Sequence, residues 1–513
     1  MLRKSYVLAW LFGLGLFFGS SGCDTQAGGG NTPQMGQTDQ MVTIVSNFAQ
    51  QVGDHLPITS PNGFFASVSS SGSIDSSNLF FQSLGSNGRR CVSCHAPFTG
   101  WTITPKFTTL FFKLCNGGVG EANDTDTSGF CAIFRTNDGS NSPNADLSTL
   151  GKRKKAFSML LTKGLIRVGL PIPAGAEFAL DAVDDPYHFA SAAELSLFRR
   201  PLPTANLKFD STIMWDGREN KLRANTSAPD PTGIAGPSSA TDIQGMLTRQ
   251  ANDATRGHAQ ATRDLTPDEV NSIVNFQLGI TAGQVIADGN DLADGANGGP
   301  DALQAQEFYV GINDNLGDSR TLAPFSPVVF TSFDGWQNAV KDDTDPNSAP
   351  DENKRAVYRG QVVFNTLQFD IAGVGGLNDN PVFGSPAVIH GGTCTTCHDT
   401  PNAGNHSVAA PLNIGLVGED QRTPDMPLYT LRNLTTGELV KVTDPGRALV
   451  TGKWIDVGKF KGPMLRNLAV RGPYFHNGSR ETLEDVVDFY IGRFNIVMSA
   501  QQRSDLLAFL RST

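Results

Sequence analysis

A chain of 513 residues can bury two or three cores, which excludes a single small fold. Its formal net charge of −10 offers no basic surface for phosphate, so the composition excludes an ordinary nucleic-acid binder. Hydrophobic residues make up 39%, an ordinary globular fraction.

The chain opens as a targeting segment: Arg3 and Lys4, an apolar run from Tyr6 to Phe18, then Gly19-Ser20-Ser21-Gly22 before Cys23. That run is too short to span a bilayer comfortably. Residues 1–23 are expected to be a signal peptide of lipoprotein type, with Ser20 where Leu is usual; an ordinary secretory signal is the alternative. Either way the protein is exported to the periplasm or cell envelope, and Cys23 would carry a lipid anchor to the membrane. Residues 24–41, poor in groups to bury, read as a flexible tether.

Globular sequence begins at Val42, and residues 42–281 are expected to form an N-terminal domain containing an insertion. Leu79, Phe80, Phe81 and Leu84 recur at helical spacing before the motif Cys91-Val92-Ser93-Cys94-His95. Cys115 and Cys131 fit a disulfide in an oxidising compartment, with free thiols as the alternative. Thr266-Pro267-Asp268-Glu269 opens a closing helix: a capping Thr, Pro at its first position, and acids on the positive end of the dipole. Residues 282–354, rich in Gly, Asp, Asn and Pro, read as an inter-domain insertion. Residues 355–513 repeat the first layout, with Val362, Val363, Phe364 and Leu367 ahead of Cys394-Thr395-Thr396-Cys397-His398 and a final helix capped by Ser499.

Each Cys-x-x-Cys-His motif sets two thiols one helical turn apart for addition to haem vinyl groups, and the next residue presents an imidazole to iron. Two such motifs imply two covalently bound c-type haems, attached at Cys91, Cys94, Cys394 and Cys397, with His95 and His398 as proximal ligands. Zinc and a redox dithiol are the competing readings.

Lys459-Phe460-Lys461-Gly462-Pro463-Met464-Leu465-Arg466-Asn467, Gly472-Pro473-Tyr474-Phe475-His476-Asn477-Gly478 and Thr482 to Tyr490 resemble the signature of bacterial di-haem cytochrome c peroxidases and MauG proteins. Met214-Trp215-Asp216-Gly217-Arg218 resembles their Phe-Trp-Asp-Gly-Arg element. The resemblance implies a mainly α fold of two cytochrome c-like haem domains with long loop insertions. It implies peroxide reduction at the first haem, with the second storing or relaying oxidising equivalents. Electrons would come from a small redox protein or from an oxidisable side chain on a protein partner. A pure electron-transfer cytochrome and a di-haem oxygenase are the alternatives.

The same resemblance assigns Tyr490 as distal ligand of the second haem and Trp215 as the coupling residue; a phenolate would favour oxidised iron. Met464 is the competing ligand. The family's removable distal His has no counterpart between His95 and His188, so the resemblance implies an open or water-bound first iron, with His188 as an alternative ligand. The family's acid–base Glu has no counterpart, which leaves His258 and Asp253 as candidates. Arg218 and Arg466 suit haem propionates or ordinary ion pairs. The family's inter-domain calcium is not supported, since Phe198-Arg199-Arg200-Pro201 stands near the expected Asn. Asp124 to Gly129 opens like a calcium loop, but its twelfth position is Arg135.

Overall fold

Local sequence sets the helices that flank the two motifs. The first motif is itself a single turn, α1 (Cys91–Cys94), and α2 (Pro105–Leu114) follows with Thr104 capping Phe107 N. Helix α3 (Ala240–Gly257) precedes α4 (Pro267–Gly279), where Thr266 and Glu269 form a reciprocal capping box and Val270, Ile273 and Val274 are buried. In the second half, α5 (Glu352–Thr366) is capped by Asp351, α6 (Leu483–Phe494) by Thr482, and α7 (Ala500–Ser512) by Ser499. These caps satisfy the donors that a helix start leaves free.

The computed structural model describes residues 54–119, 129–220, 240–345, 347–381 and 384–513. The expected signal peptide, Cys23, the tether and Asp124 to Ser128 lie outside them. Among the described residues no helix is long and apolar enough to cross a membrane.

The expectation of a mainly α fold is overturned. The chain is 32% helix and 16% strand, with several sheets. Strands β1 (Ile58–Ser60), β2 (Gly63–Ser69), β6 (Ile280–Ala287) and β7 (Asn290–Asp291) form one antiparallel sheet, with Ala66 opposite Gly283. Strands β3 (Ile166–Leu170) and β5 (Leu195–Arg199) pair. Strand β4 (Phe178–Asp184) pairs with β10 (Leu428–Asn433), which pairs with β11 (Leu439–Val442). A ribbon of β8 (Phe369–Ala372) and β9 (Val388–Gly392) closes the set. The strands escape a search for helical periodicity because they are short, and β2–β6 and β4–β10 join segments far apart in sequence. The apolar run at Leu79 to Leu84 is likewise not a full helix: Leu79–Phe81 makes a 3-10 turn and Gln82 is extended.

Aromatic side chains fill both cores. Phe80, Phe81 and Trp101 meet Phe276 of α4 in the first. Phe330, Phe333 and Trp336, from the segment expected to be an insertion, join Phe364 of α5 and Phe509 of α7 in the second. Helices α5 and α7 cross closely because Gly360 has no Cβ: one there would lie 1.9 Å from the Asp505 carbonyl oxygen. Arg359 clamps the crossing, its Nε and Nη2 donating to the two Asp505 carboxylate oxygens at 2.8 and 3.0 Å.

Cys115, at the end of α2, and Cys131 are joined as a disulfide across 16 residues. Replacing both by Ala is expected to lower the unfolding free energy by about 3 kcal/mol, the loop-closure value for a link of this size. Denaturant unfolding of the variant and the oxidised parent measures the difference.

Candidate functional site

The first motif opens on a cavity of about 1430 Å³. Cys91, Cys94 and His95 line it, as do Trp215, Arg218 and His258. The His95 Nδ1–H donates to the Trp101 carbonyl oxygen at 3.3 Å, and the Leu202 backbone also approaches the ring. Trp101 is itself fixed, its indole N–H donating to Ser67 Oγ on β2 at 2.8 Å. The second motif repeats the device: His398 Nδ1–H donates to the Gly404 carbonyl at 2.6 Å. Gly404 sits at φ +68°, and a Cβ there would press against the Phe330 ring at 2.7 Å. Burial pushes both imidazoles down to about 4, so both are neutral, the form that ligates a metal.

The four motif thiols are unpaired. Burial pushes Cys91, Cys394 and Cys397 up to about 12 and Cys94 to about 11, the opposite of a reactive redox dithiol. Nor do the thiols converge with their His as zinc ligands would; among the described residues, the group that converges is Asp314, Asp399 and His406. Thiols on one turn, a neutral imidazole beside them and a large apolar-walled cavity fit a thioether-attached haem.

The other expected site residues divide among three places. His258 and Trp215 share the first cavity. The His258 Nδ1–H donates to Asp138 Oδ2 at 2.7 Å, and Arg89, buried, lies 3.6 Å from the same carboxylate. Trp215 donates its indole N–H to the Arg200 carbonyl at 2.8 Å and meets the His476 ring edge-on at 6.2 Å. That imidazole stacks on Phe460 at 4.0 Å, so an unbroken aromatic path leads from the cavity into the second half. Asp253 is exposed and His188 is exposed, and neither lines the cavity.

Arg218 also lines the cavity but already pairs with Asp216 at 2.9 Å. Arg466 lies in a smaller adjoining cleft of about 400 Å³ together with Met464. It is buried with no acidic partner among the described residues, its Nε makes no hydrogen bond, and burial pushes its guanidinium down to about 10. A buried cation without an anion suits a carboxylate-bearing ligand.

Tyr490 belongs to the second motif. It lies on α6 in an aromatic cluster, 6.1 Å from Phe475 and stacked with Phe494 at 6.2 Å. Burial raises its phenol well above the usual range, and the nearby Cys397 and Cys394 thiols raise it further. The structure thus brings Tyr490 to the second motif and places Met464 elsewhere.

At Phe198 to Pro201 both arginines are buried and already partnered. Arg199 lies between Asp444, at 2.7 Å, and Asp216, at 2.5 Å. Arg200 donates to the carbonyls of Lys163, Ile103 and Arg471 at 2.8, 2.9 and 2.9 Å. These residues do not fit an added calcium ion. Asp138, Arg89, Arg199 and His476 were not read from the sequence, because each acquires its role from a partner remote along the chain.

No protein-family model matches the chain. A cytochrome-c peroxidase of Denitromonas iodatirespirans is 33% identical over 106 residues, 19% of this chain and 28% of that protein. A cytochrome-c peroxidase of Pseudomonas sp. (strain SCT) is 30% identical over 142 residues, covering 23% and 36%. The cytochrome c551 peroxidase of Nitrosomonas europaea is 31% identical over 127 residues, covering 24% and 31%. About a fifth to a quarter of this chain is thus similar in sequence to proteins named cytochrome c peroxidases. The matches span about a third of these curated relatives' length. A crystal structure of a MauG-like protein associated with microbial copper homeostasis aligns over 85% of both chains at 16% identity, with a TM-score of 0.32. The sequence similarity to cytochrome c peroxidases implies c-type haem as the cofactor.

The seam around Trp215 is expected to be acid-sensitive. Burial alone would raise the Asp216 carboxyl, but Arg218 and Arg199 together hold it well below its ordinary value. A depressed carboxylate contributes stability above its unfolded value of about 4, and that contribution is lost as pH falls toward the folded value. Unfolding free energies between pH 6 and 3 should therefore fall more steeply in the parent than in Asp216→Asn. Arg199→Met, which leaves buried Asp444 without its cation and Asp216 with Arg218 alone, should cost roughly 3–5 kcal/mol at pH 7.

Proposed function

We propose that this chain is an exported di-haem oxidoreductase that reduces hydrogen peroxide, with unequal haem sites at its two motifs. The observation that carries the reading is the contrast between them: His95 faces a cavity containing an imidazole–carboxylate pair, whereas the second motif lies beside Tyr490. Haem, when bound, supplies an iron that accepts peroxide at the first site and one that stores or relays an oxidising equivalent at the second.

The protein's own residues do the rest. Cys91, Cys94 and His95 would hold the first group and Cys394, Cys397 and His398 the second, with Tyr490 as the second distal ligand. His258, oriented through Nδ1 by Asp138, has its Nε2 available to take a proton from one peroxide oxygen and return it to the departing one. Trp215, His476 and Phe460 provide the path between the halves. Arg466 would neutralise a propionate. Electrons would arrive from a small redox protein or an oxidisable side chain of a protein partner, with the enzyme lipid-anchored through Cys23 at the cell envelope.

Low-temperature electron paramagnetic resonance of the ferric protein tests the asymmetry. A high-spin signal beside a low-spin one is expected; two low-spin signals with no peroxide reaction would leave a pure electron-transfer cytochrome instead. Tyr490→Phe should alter the second haem's spectrum alone, and an unchanged spectrum removes it as ligand. His258→Gln should retain both haems yet slow peroxide reduction on the order of 100-fold, the usual effect of losing an acid–base group. An unaltered rate would rule it out of that role.

A further inference from the structure

Away from both cavities, Asp314, Asp399 and His406 converge in the interior of the second half. They are 4%, 0% and 3% exposed, and one ligand atom from each lies within 4.8 Å of the others. Each carboxylate is half-satisfied: Asp314 Oδ1 accepts from Leu316 N at 2.9 Å and Asp399 Oδ1 from Ser407 N at 2.6 Å. The remaining oxygens, Asp314 Oδ2 and Asp399 Oδ2, receive no hydrogen bond, and neither does His406 Nδ1 make one. His406 Nδ1 stands 3.3 Å from Asp399 Oδ2. No Lys or Arg among the described residues pairs with either carboxylate.

Two buried carboxylates beside a single imidazole bring more negative than positive charge into the interior even when the imidazole is protonated, and burial makes that costly. A divalent cation would cancel the charge and satisfy all three orphaned atoms together. We propose that Asp314, Asp399 and His406 bind a divalent first-row transition ion. One imidazole with two carboxylates suits zinc or manganese better than calcium or magnesium, which take all-oxygen shells. The Thr400 and Ser407 hydroxyls, also buried without a hydrogen-bond partner, lie on the same loop as Asp399 and His406.

The ion ties a loop of the middle segment to the second motif. Asp399 follows His398 directly, and Asp314 lies between two asparagines that already clasp this motif. Asn313 Nδ2 donates to the Asp399 carbonyl at 3.2 Å, and Asn315 Nδ2 donates to the Thr396 carbonyl. The ion is thus structural and does not depend on peroxide chemistry.

The test uses the full haem-loaded chain. Elemental analysis counts zinc, manganese and iron against spectroscopically measured haem, and the chelator-stripped protein is titrated with zinc chloride and with manganese chloride by calorimetry. One non-haem ion per chain is expected, with binding weakened more than about 100-fold in Asp314→Asn and in His406→Gln. Iron equal to haem, together with no uptake of either added ion by the stripped parent, overturns the proposal. So does uptake that both variants retain at parental affinity. If a variant fails to fold, the parent's metal count and titration decide.

Discussion

A buried guanidinium between two carboxylates holds the seam of this molecule. Arg199 ends β5 in the first half, Asp216 follows Trp215 in the same half, and Asp444 comes from the second. Buried pairs of this kind add little net stability, since desolvation consumes most of the attraction, but an incomplete one is costly. The cluster therefore penalises any docking of the halves that leaves a charge unmatched. Lys461 reinforces the register by pairing with Asp210 at 2.9 Å, while its backbone N–H donates to the Trp215 carbonyl. Trp215 is thus gripped through its indole by Arg200 and through its backbone by Lys461, and it has little freedom to leave the cavity wall.

The same economy governs the two His ligand candidates. Each imidazole spends one nitrogen on a backbone carbonyl, which orients the ring. The supports differ in origin: Trp101 is braced by a strand of the first sheet, whereas Gly404 is wedged against Phe330 of the second core. What lies beside the two rings differs more. A polar-lipped cavity holding His258 and Asp138 adjoins one motif, and an aromatic cluster around Tyr490 adjoins the other. That inequality gives two similar attachment motifs the capacity for different chemistry.

Several structural features were legible because they are local. The capping boxes at Thr266, Thr482 and Ser499 each need only four consecutive residues, and the helices they start are present. The Cys115–Cys131 bond was readable from cysteine arithmetic. The mainly α reading failed because helical periodicity shows inside one segment, whereas β2–β6 and β4–β10 exist only when segments more than 200 residues apart meet. The segment 282–354 looked like an insertion for want of regular pattern, yet Phe330, Phe333 and Trp336 fill a core from irregular backbone.

By itself the sequence determined the chemistry that depends on spacing: two thiol–thiol–imidazole motifs, the helix caps, the disulfide pair and the family signature. The helix that carries Tyr490 was likewise readable from its Thr482 cap. Only the tertiary structure decided what each imidazole faces, that Asp138 backs His258, and that Arg199 pairs with Asp216 and Asp444. The reason is physical: covalent spacing fixes contacts within a few residues of one another, whereas charge compensation, cavity walls and hydrogen-bond direction are set by whichever distant groups burial brings together.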